Sequence, residues 1–164
     1  MSSLDVFLIL ATLSCALVAG FAFAFAAVVM PGIGKLADRD FIRAFQVIDG
    51  VIQAGQPVFA LIWLGSSVAL VISAVMGVVQ LAGMERALVV LSALAYGFGV
   101  QMPTFRINVP LNNRLQSLDI DAMDAGALSA ARCNFEKRWN RWNAIRTAIA
   151  TMVSGALILV LLWL

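Results

Sequence analysis

"VFLILATLSCALVAGFAFAFAAVVM", Val6 to Met30, decides the fold. It runs 25 residues without a charge. Its "FAFAFA" segment imitates the period-2 alternation of a strand, but the apolar flanks continue on both sides, and length arbitrates for a helix. A lone strand in lipid would also leave backbone N–H and C=O groups unpaired. About 20 apolar residues suffice to cross a bilayer as a helix. On that helix Phe21 and Phe25 share a face and Phe23 points away, while Gly20 and the neighbouring alanines permit close helix contact.

The rest of the chain repeats the pattern. Of its 164 residues 62% are hydrophobic and 12% charged, against roughly 45–50% and about 25% in soluble domains. Three further apolar blocks predict spans at about 58–80, 87–102 and 144–164. The expectation is therefore an all-α, single-domain bundle of four transmembrane helices over residues 1–164. The third block is short unless its helix continues past Pro103. Its polar members are Tyr96 and Gln101, and Trp163 is a plausible interface anchor of the fourth. The first block lacks the basic n-region and short core of a secretory signal.

Between spans one and two, Asp38 is placed to cap a helix in which Phe41, Phe45, Ile48 and Ile52 recur at 4, 3 and 4. Arg43, Gln46 and Asp49 are read as lying off that stripe, which makes this an amphipathic, interfacial helix. Between spans three and four, about Thr104–Asn143 reads as a long polar, partly helical loop. Nine of the eleven basic residues fall in these two connections, and a tenth, Arg146, lies in the first turn of span four on the same side. By the positive-inside rule both connections face the cytoplasm and both termini face outward, as in a bacterial inner membrane.

Composition also excludes chemistry. There is no histidine, so imidazole-held zinc or haem and Ser-His-Asp catalysis are ruled out. Cys15 and Cys133 form no CxxC pair. "PGIG" follows a span and reads as a turn, not a phosphate loop. Basic residues interleaved with tryptophans near Trp139 superficially suit nucleic acid, yet anionic lipid headgroups account for Lys137, Arg138 and Arg141 beside a span. No metal, cofactor or nucleic-acid partner is expected; the lipid bilayer is, and a lipophilic small molecule is compatible.

Two segments hold possible chemistry. "INVPLNNRL", Ile107–Leu115, carries Asn108 and Asn112 beside Pro110. "FEKRWNRWNAIRT", Phe135–Thr147, sets Phe135, Trp139, Trp142 and Arg146 at 4, 3 and 4, next to a polar stripe through Asn143. A basic residue entering a span either snorkels or finds a partner inside the bundle, and is then a functional candidate. Asn and Pro equally suit a plain turn.

These segments, together with "GFAFAFAAVVMPGIGKLADRDFIRAFQVID", resemble the anthrone oxygenase-like membrane family, first catalogued as a domain of unknown function. Order and spacing agree over most of the chain. The matching positions are Pro31, Gly32, Gln46, Asn108, Pro110, Leu111, Asn112, Trp139, Asn143 and Arg146. The resemblance implies a small four-span protein and, from its few characterised and mostly fungal members, oxidation of anthrones to anthraquinones without metal or flavin. Some of those members are thought to use a histidine, and this chain has none.

Cofactor-free oxygenation needs a deprotonated, electron-rich substrate. Arg146 with Asn108, Asn112 and Asn143 is the candidate oxyanion site. Trp139, Trp142, Gln46 and Tyr96 are candidate substrate contacts. Asp49, Glu136 or Tyr96 would supply the base. Two functions from different classes follow: an oxygenase-like enzyme acting on a lipophilic aromatic or quinone-like molecule, and a non-enzymatic bundle binding a lipid or membrane partner.

Overall fold

The computed structural model describes residues 1–164 and contains five helices and no strand: α1 Ser3–Ile33, α2 Asp38–Gln53, α3 Pro57–Gln80, α4 Gly83–Gln116 and α5 Ala125–Trp163. All but α2 are long and apolar enough to cross a membrane. Each spanning helix packs on the next around a square, α1 against α3 and α5, and α4 against α3 and α5. The short α2 lies across one end, against α5 and the last turns of α4.

The ends of the helices are set locally. Ser2 and Asp5 form a capping box at the start of α1, Pro57 occupies the first turn of α3, and the Asp124 carboxylate accepts from the Ala127 N–H at the start of α5. Ala37, not Asp38, is the cap residue of α2; Asp38 is its first helical residue. Gly55 turns the chain between α2 and α3 at φ +82°, where a Cβ would be strained.

The helices run well past the apolar blocks. The expected loop over 104–143 shrinks to 117–124, because α4 continues through Pro103 and Pro110, and α5 begins at Ala125. "INVPLNNRL" is helix, not an exit loop. The reason is a repeated local device. Met30, Met102 and Val109 each donate a backbone N–H five residues back, to Phe25, Gly97 and Thr104. Each of these wide turns ends two residues before a proline: Pro31, Pro103 and Pro110. A proline inside a helix lacks a donor and clashes with the carbonyl four residues back. One wide turn ahead of it relieves both defects and lets the helix continue.

Two apolar cores result. One fills the body of the bundle around Leu8, Cys15, Leu70, Val89, Tyr96 and Leu157. The other fills the basic end around Phe25, Phe41, Phe45, Leu115, Phe135 and Trp139. Large apolar side chains such as Leu61 and Val79 stay exposed on the body's outer face. That is a cost in water and a match to lipid tails. Phe23 is among them, while the Phe21 and Phe25 rings meet 4.9 Å apart.

Arginines fasten the basic end. Arg132 of α5 donates to the Gly34 and Leu36 carbonyls at 2.7 and 2.8 Å, to Asp38 at 3.1 Å and to Glu136 at 2.8 Å, and lies over the Phe41 ring. Arg39 donates to the carbonyls of Ile120 and Met123, and Arg43 pairs with Asp121. The 117–124 turn is thereby tied to α2.

Candidate functional site

The wide turns and the α2 cover line a cavity of about 250 Å³ at the basic end, just below the roughly 300–1,000 Å³ usual for small-molecule sites. Phe21 and Phe25 of α1, Phe45 of α2, Phe59 and Trp63 of α3, and Trp139 of α5 supply aromatic walls. Their rings form a connected series, with Phe25 and Phe45 each 5.6 Å from Trp139, and Phe59 stacked on Trp63 at 5.3 Å. Such walls suit a flat apolar ring system.

Arg146 is 6% exposed at this cavity and takes part in none of the chain's ion pairs. Its two terminal nitrogens donate to Thr104 Oγ1 at 2.8 Å and to Asn143 Oδ1 at 2.9 Å. Its Nε has no partner. The guanidinium carbon sits 6.0 Å from the Trp139 ring centroid, at the outer edge of cation–π contact. The Asn143 amide is aimed by the Ala22 carbonyl, to which it donates at 2.9 Å. A buried cation without a carboxylate is costly, and a bound anion or a developing oxyanion offsets that cost.

Asn108 is buried to 1% and sits on the same lining. Its amide makes a long 3.5 Å bond to the Trp139 carbonyl, and its Oδ1 accepts nothing. One orphan donor and one orphan acceptor therefore belong to a single cavity. Polar groups this deeply buried are normally satisfied, so an exception asks for a reason.

A second chain of bonds crosses the lining. Trp139 Nε1 donates to Asn112 Oδ1 at 2.7 Å, Asn112 Nδ2 donates to Asp49 Oδ1 at 2.8 Å, and Gln53 donates to Asp49 Oδ2 at 2.6 Å. Asp49 is 4% exposed. Burial pushes its carboxyl above the ordinary carboxylate range, and the hydrogen bonds from Gln53 and Asn112 pull it part of the way back.

Of the candidates read from the sequence, Asn108, Asn112, Trp139, Asn143 and Arg146 are brought together, with Asp49. Trp142, Gln46, Tyr96 and Glu136 are not among the lining residues. On α5 the buried face runs through Trp139, Asn143 and Arg146, at 4 and 3, which turns Trp142 to the edge. Gln46 donates to the Leu115 and Leu118 carbonyls at 2.9 and 3.1 Å and caps the end of α4. Tyr96 bonds Ser66 at 2.8 Å inside the apolar body. Glu136 is committed to Arg132.

Asp49 itself corrects the helical wheel. It lies four residues after Phe45 and seven after Ile42, on the buried face rather than off it. Thr104 was missed altogether. The signal was available: Thr104, Asn108 and Asn112 stand four apart, one face of a helix. It is legible only to a reader who carries the helix through two prolines.

No curated protein and no solved structure matches the chain. A family model described as anthrone oxygenase matches residues 49–157. That stretch covers well over half of the 164 residues and begins at Asp49. It includes Thr104, all three cavity asparagines named above, Trp139 and Arg146, so the polar part of the cavity lies wholly within the matched region. On that match the chain belongs to the anthrone oxygenase family.

Proposed function

We propose that this protein is a membrane-embedded oxygenase that converts an activated methylene of a lipophilic, anthrone-like aromatic to a ketone with dioxygen as the oxidant. One observation carries the reading: Arg146 Nε and Asn108 Oδ1 stand unpartnered in an aromatic-walled cavity that also holds the buried carboxylate of Asp49.

In this mechanism the rings seat against Phe25, Phe45 and Trp139. Asp49 removes a proton from the methylene carbon, and charge moves onto the substrate's conjugated oxygen. Arg146, held by Thr104 and Asn143, stabilises that oxyanion. Asn108 Oδ1 accepts a hydrogen bond from a substrate hydroxyl. The anion passes one electron to dioxygen, and the resulting substrate radical and superoxide combine in a new C–O bond. Asp49 returns its proton to give a hydroperoxide. Loss of the second C–H proton with cleavage of the O–O bond leaves a ketone and water. Overall, one CH₂ and one O₂ give one C=O and one H₂O.

A base with a raised pKa suits such a weak carbon acid, since proton transfer works best when the catalytic group titrates near the operating pH. We place the basic end on the cytoplasmic side of a bacterial inner membrane, following the distribution of Lys and Arg; a reporter fused after Leu164 would then read outside. The activity test is direct. Purified protein in lipid, given an anthrone under air, should speed quinone formation over lipid alone, and Arg146→Ala should lose most of the gain. Equal rates with and without protein would reject the reading.

A further inference from the structure

The cavity has two unlike rims. Toward α2 it is polar: Gln53 donates to Asp49 at 2.6 Å and reaches Asn113 at 3.4 Å, bridging α2 to α4. Toward the gap between α3 and α4 it is apolar: Phe59 lies on one side, Phe105 and Val109 on the other. Phe105 is 57% and Val109 37% exposed, so both belong to the cavity lining and to the outer surface at once.

The packing explains the gap. The helix α3 packs along Gly83–Tyr96 of α4 and not along its Thr104–Gln116 portion. Because the two helices run antiparallel, the first turns of α3 stand beside that loosely covered portion. Val58 and Met102, exposed next to this mouth, continue the apolar outer face of the spans. The opening is thus continuous with the surface that meets lipid. Arg106, exposed one turn before Val109, makes no ion pair and no side-chain hydrogen bond within the chain. Its charge complements a phospholipid phosphate at the height of the mouth.

We infer that the cavity opens sideways into the bilayer between Phe59 and Phe105–Val109, and that a phospholipid acyl chain of the adjoining leaflet occupies its outer half until a substrate displaces it. An apolar mouth at this depth has no favourable contact with water, and an acyl chain covers it at no cost in exposed apolar surface. The substrate then arrives from the membrane rather than from solution, and lipid competes with it. The substrate part of this inference rests on the oxygenase reading; the lipid part does not.

Bromine carried on lipid tails tests it without an activity assay. Trp139 is buried to 4% and lines the cavity, while Trp163 is half exposed at the far end of α5. Two single-tryptophan variants, with the other three tryptophans changed to Phe, are placed in vesicles of phosphatidylcholine, plain or brominated at mid-chain. The expected result is a loss of Trp139 fluorescence approaching that of Trp163, despite its burial. Val109→Phe, at an exposed position that tolerates the larger ring, should narrow the mouth and restore Trp139 emission while leaving Trp163 quenched. Trp139 emission that is equal in plain and brominated vesicles would overturn the lateral opening. Quenching that Val109→Phe leaves untouched would overturn the route through this mouth. Either failure leaves the oxygenase assay to stand or fall by itself.

Discussion

The body of the bundle and its basic end treat buried polar groups in opposite ways. In the body, Ser73 and Ser154 return their hydroxyls to carbonyls four residues back, at 2.8 and 2.9 Å. Ser66 shares its own with the Trp63 carbonyl and Tyr96. These three hydroxyls are answered within their own helix or by one neighbour, which is what a lipid-embedded core requires. At the basic end, Arg146 and Asn108 keep hydrogen-bonding atoms that the fold does not answer, and the charges of Arg146 and Asp49 have no ion-pair partner. Burial of that kind costs stability and is kept where it does chemistry. The difference separates the half whose apolar helices suit a membrane from the half that holds the proposed site.

The largest test of that contrast is Asp49→Asn. Removing a general base costs about 10²–10⁴-fold in rate, so anthrone turnover should fall by that order. The pH dependence sharpens it. Asp49 titrates above the ordinary 3.8, so the wild-type rate should climb with pH through that raised value as the base ionises, and the Asn variant should lose the rise. Stability runs the other way. A raised folded pKa means the protonated form is favoured by folding, so this stabilisation is complete below the unfolded value and fades as pH rises through the folded one. Thermal melts should therefore show Asp49→Asn losing less stability than wild type over that window. A variant that keeps wild-type turnover would remove Asp49 from the proposed site.

Next comes Arg146→Ala, with an expected loss of about 10²–10³-fold in kcat, the effect of deleting one oxyanion donor. Because no carboxylate is left unpaired, its melting temperature should hold or rise. Arg146→Lys should not rescue activity, since an ammonium does not reproduce a guanidinium fixed on Thr104 and Asn143. Unfolding of Arg146→Ala would make the residue structural and erase the contrast.

Much of this was legible beforehand, unevenly. The spans were readable because apolar length is a crude and robust signal, and Val6–Met30 has no competing interpretation once its flanks are counted. Asn108, Asn112, Asn143 and Arg146 stand out because polar groups beside spans are uncommon, and Trp139 because it continues an aromatic stripe at helical spacing. The helical nature of Thr104–Gln116 was hidden, since proline reads as a breaker and the wide turns that excuse it have no local sequence mark. Asp49 is named as a candidate base, yet its place on the buried face is off by one helical position, and Trp142 sits one position from the cavity face. Periodicity resolves a face only to the angle between neighbouring residues, whereas cavity membership depends on tertiary packing.

Trp139→Phe separates wall from wire. The ring remains against Phe25 and Phe45, but the bond to Asn112 goes. One such bond contributes about 0.5–1.5 kcal/mol, so the rate should drop by up to about tenfold through a looser Asn112–Asp49 pair. The pH profile should shift with it, because Asn112 stabilises the Asp49 carboxylate. A lower rate with an unmoved profile would mean that Trp139 serves as a wall alone.

The smallest expected effect falls in the other half. Ser73→Ala removes a hydroxyl whose only partner is the Ala69 carbonyl of its own helix. That carbonyl keeps its helical bond, no orphan is created, and alanine is the better helix former by a few tenths of a kcal/mol. Interhelical hydrogen bonds in membranes average only about 0.6 kcal/mol, and an intrahelical one that competes with the ladder contributes less. Melts in lipid should therefore move within about 0.5 kcal/mol of wild type, and turnover should not change. A loss of several kcal/mol at Ser73 would place an unseen partner in the body of the bundle. The division between a body whose serines bond within their own helices and the half that holds the proposed site would then have to be redrawn.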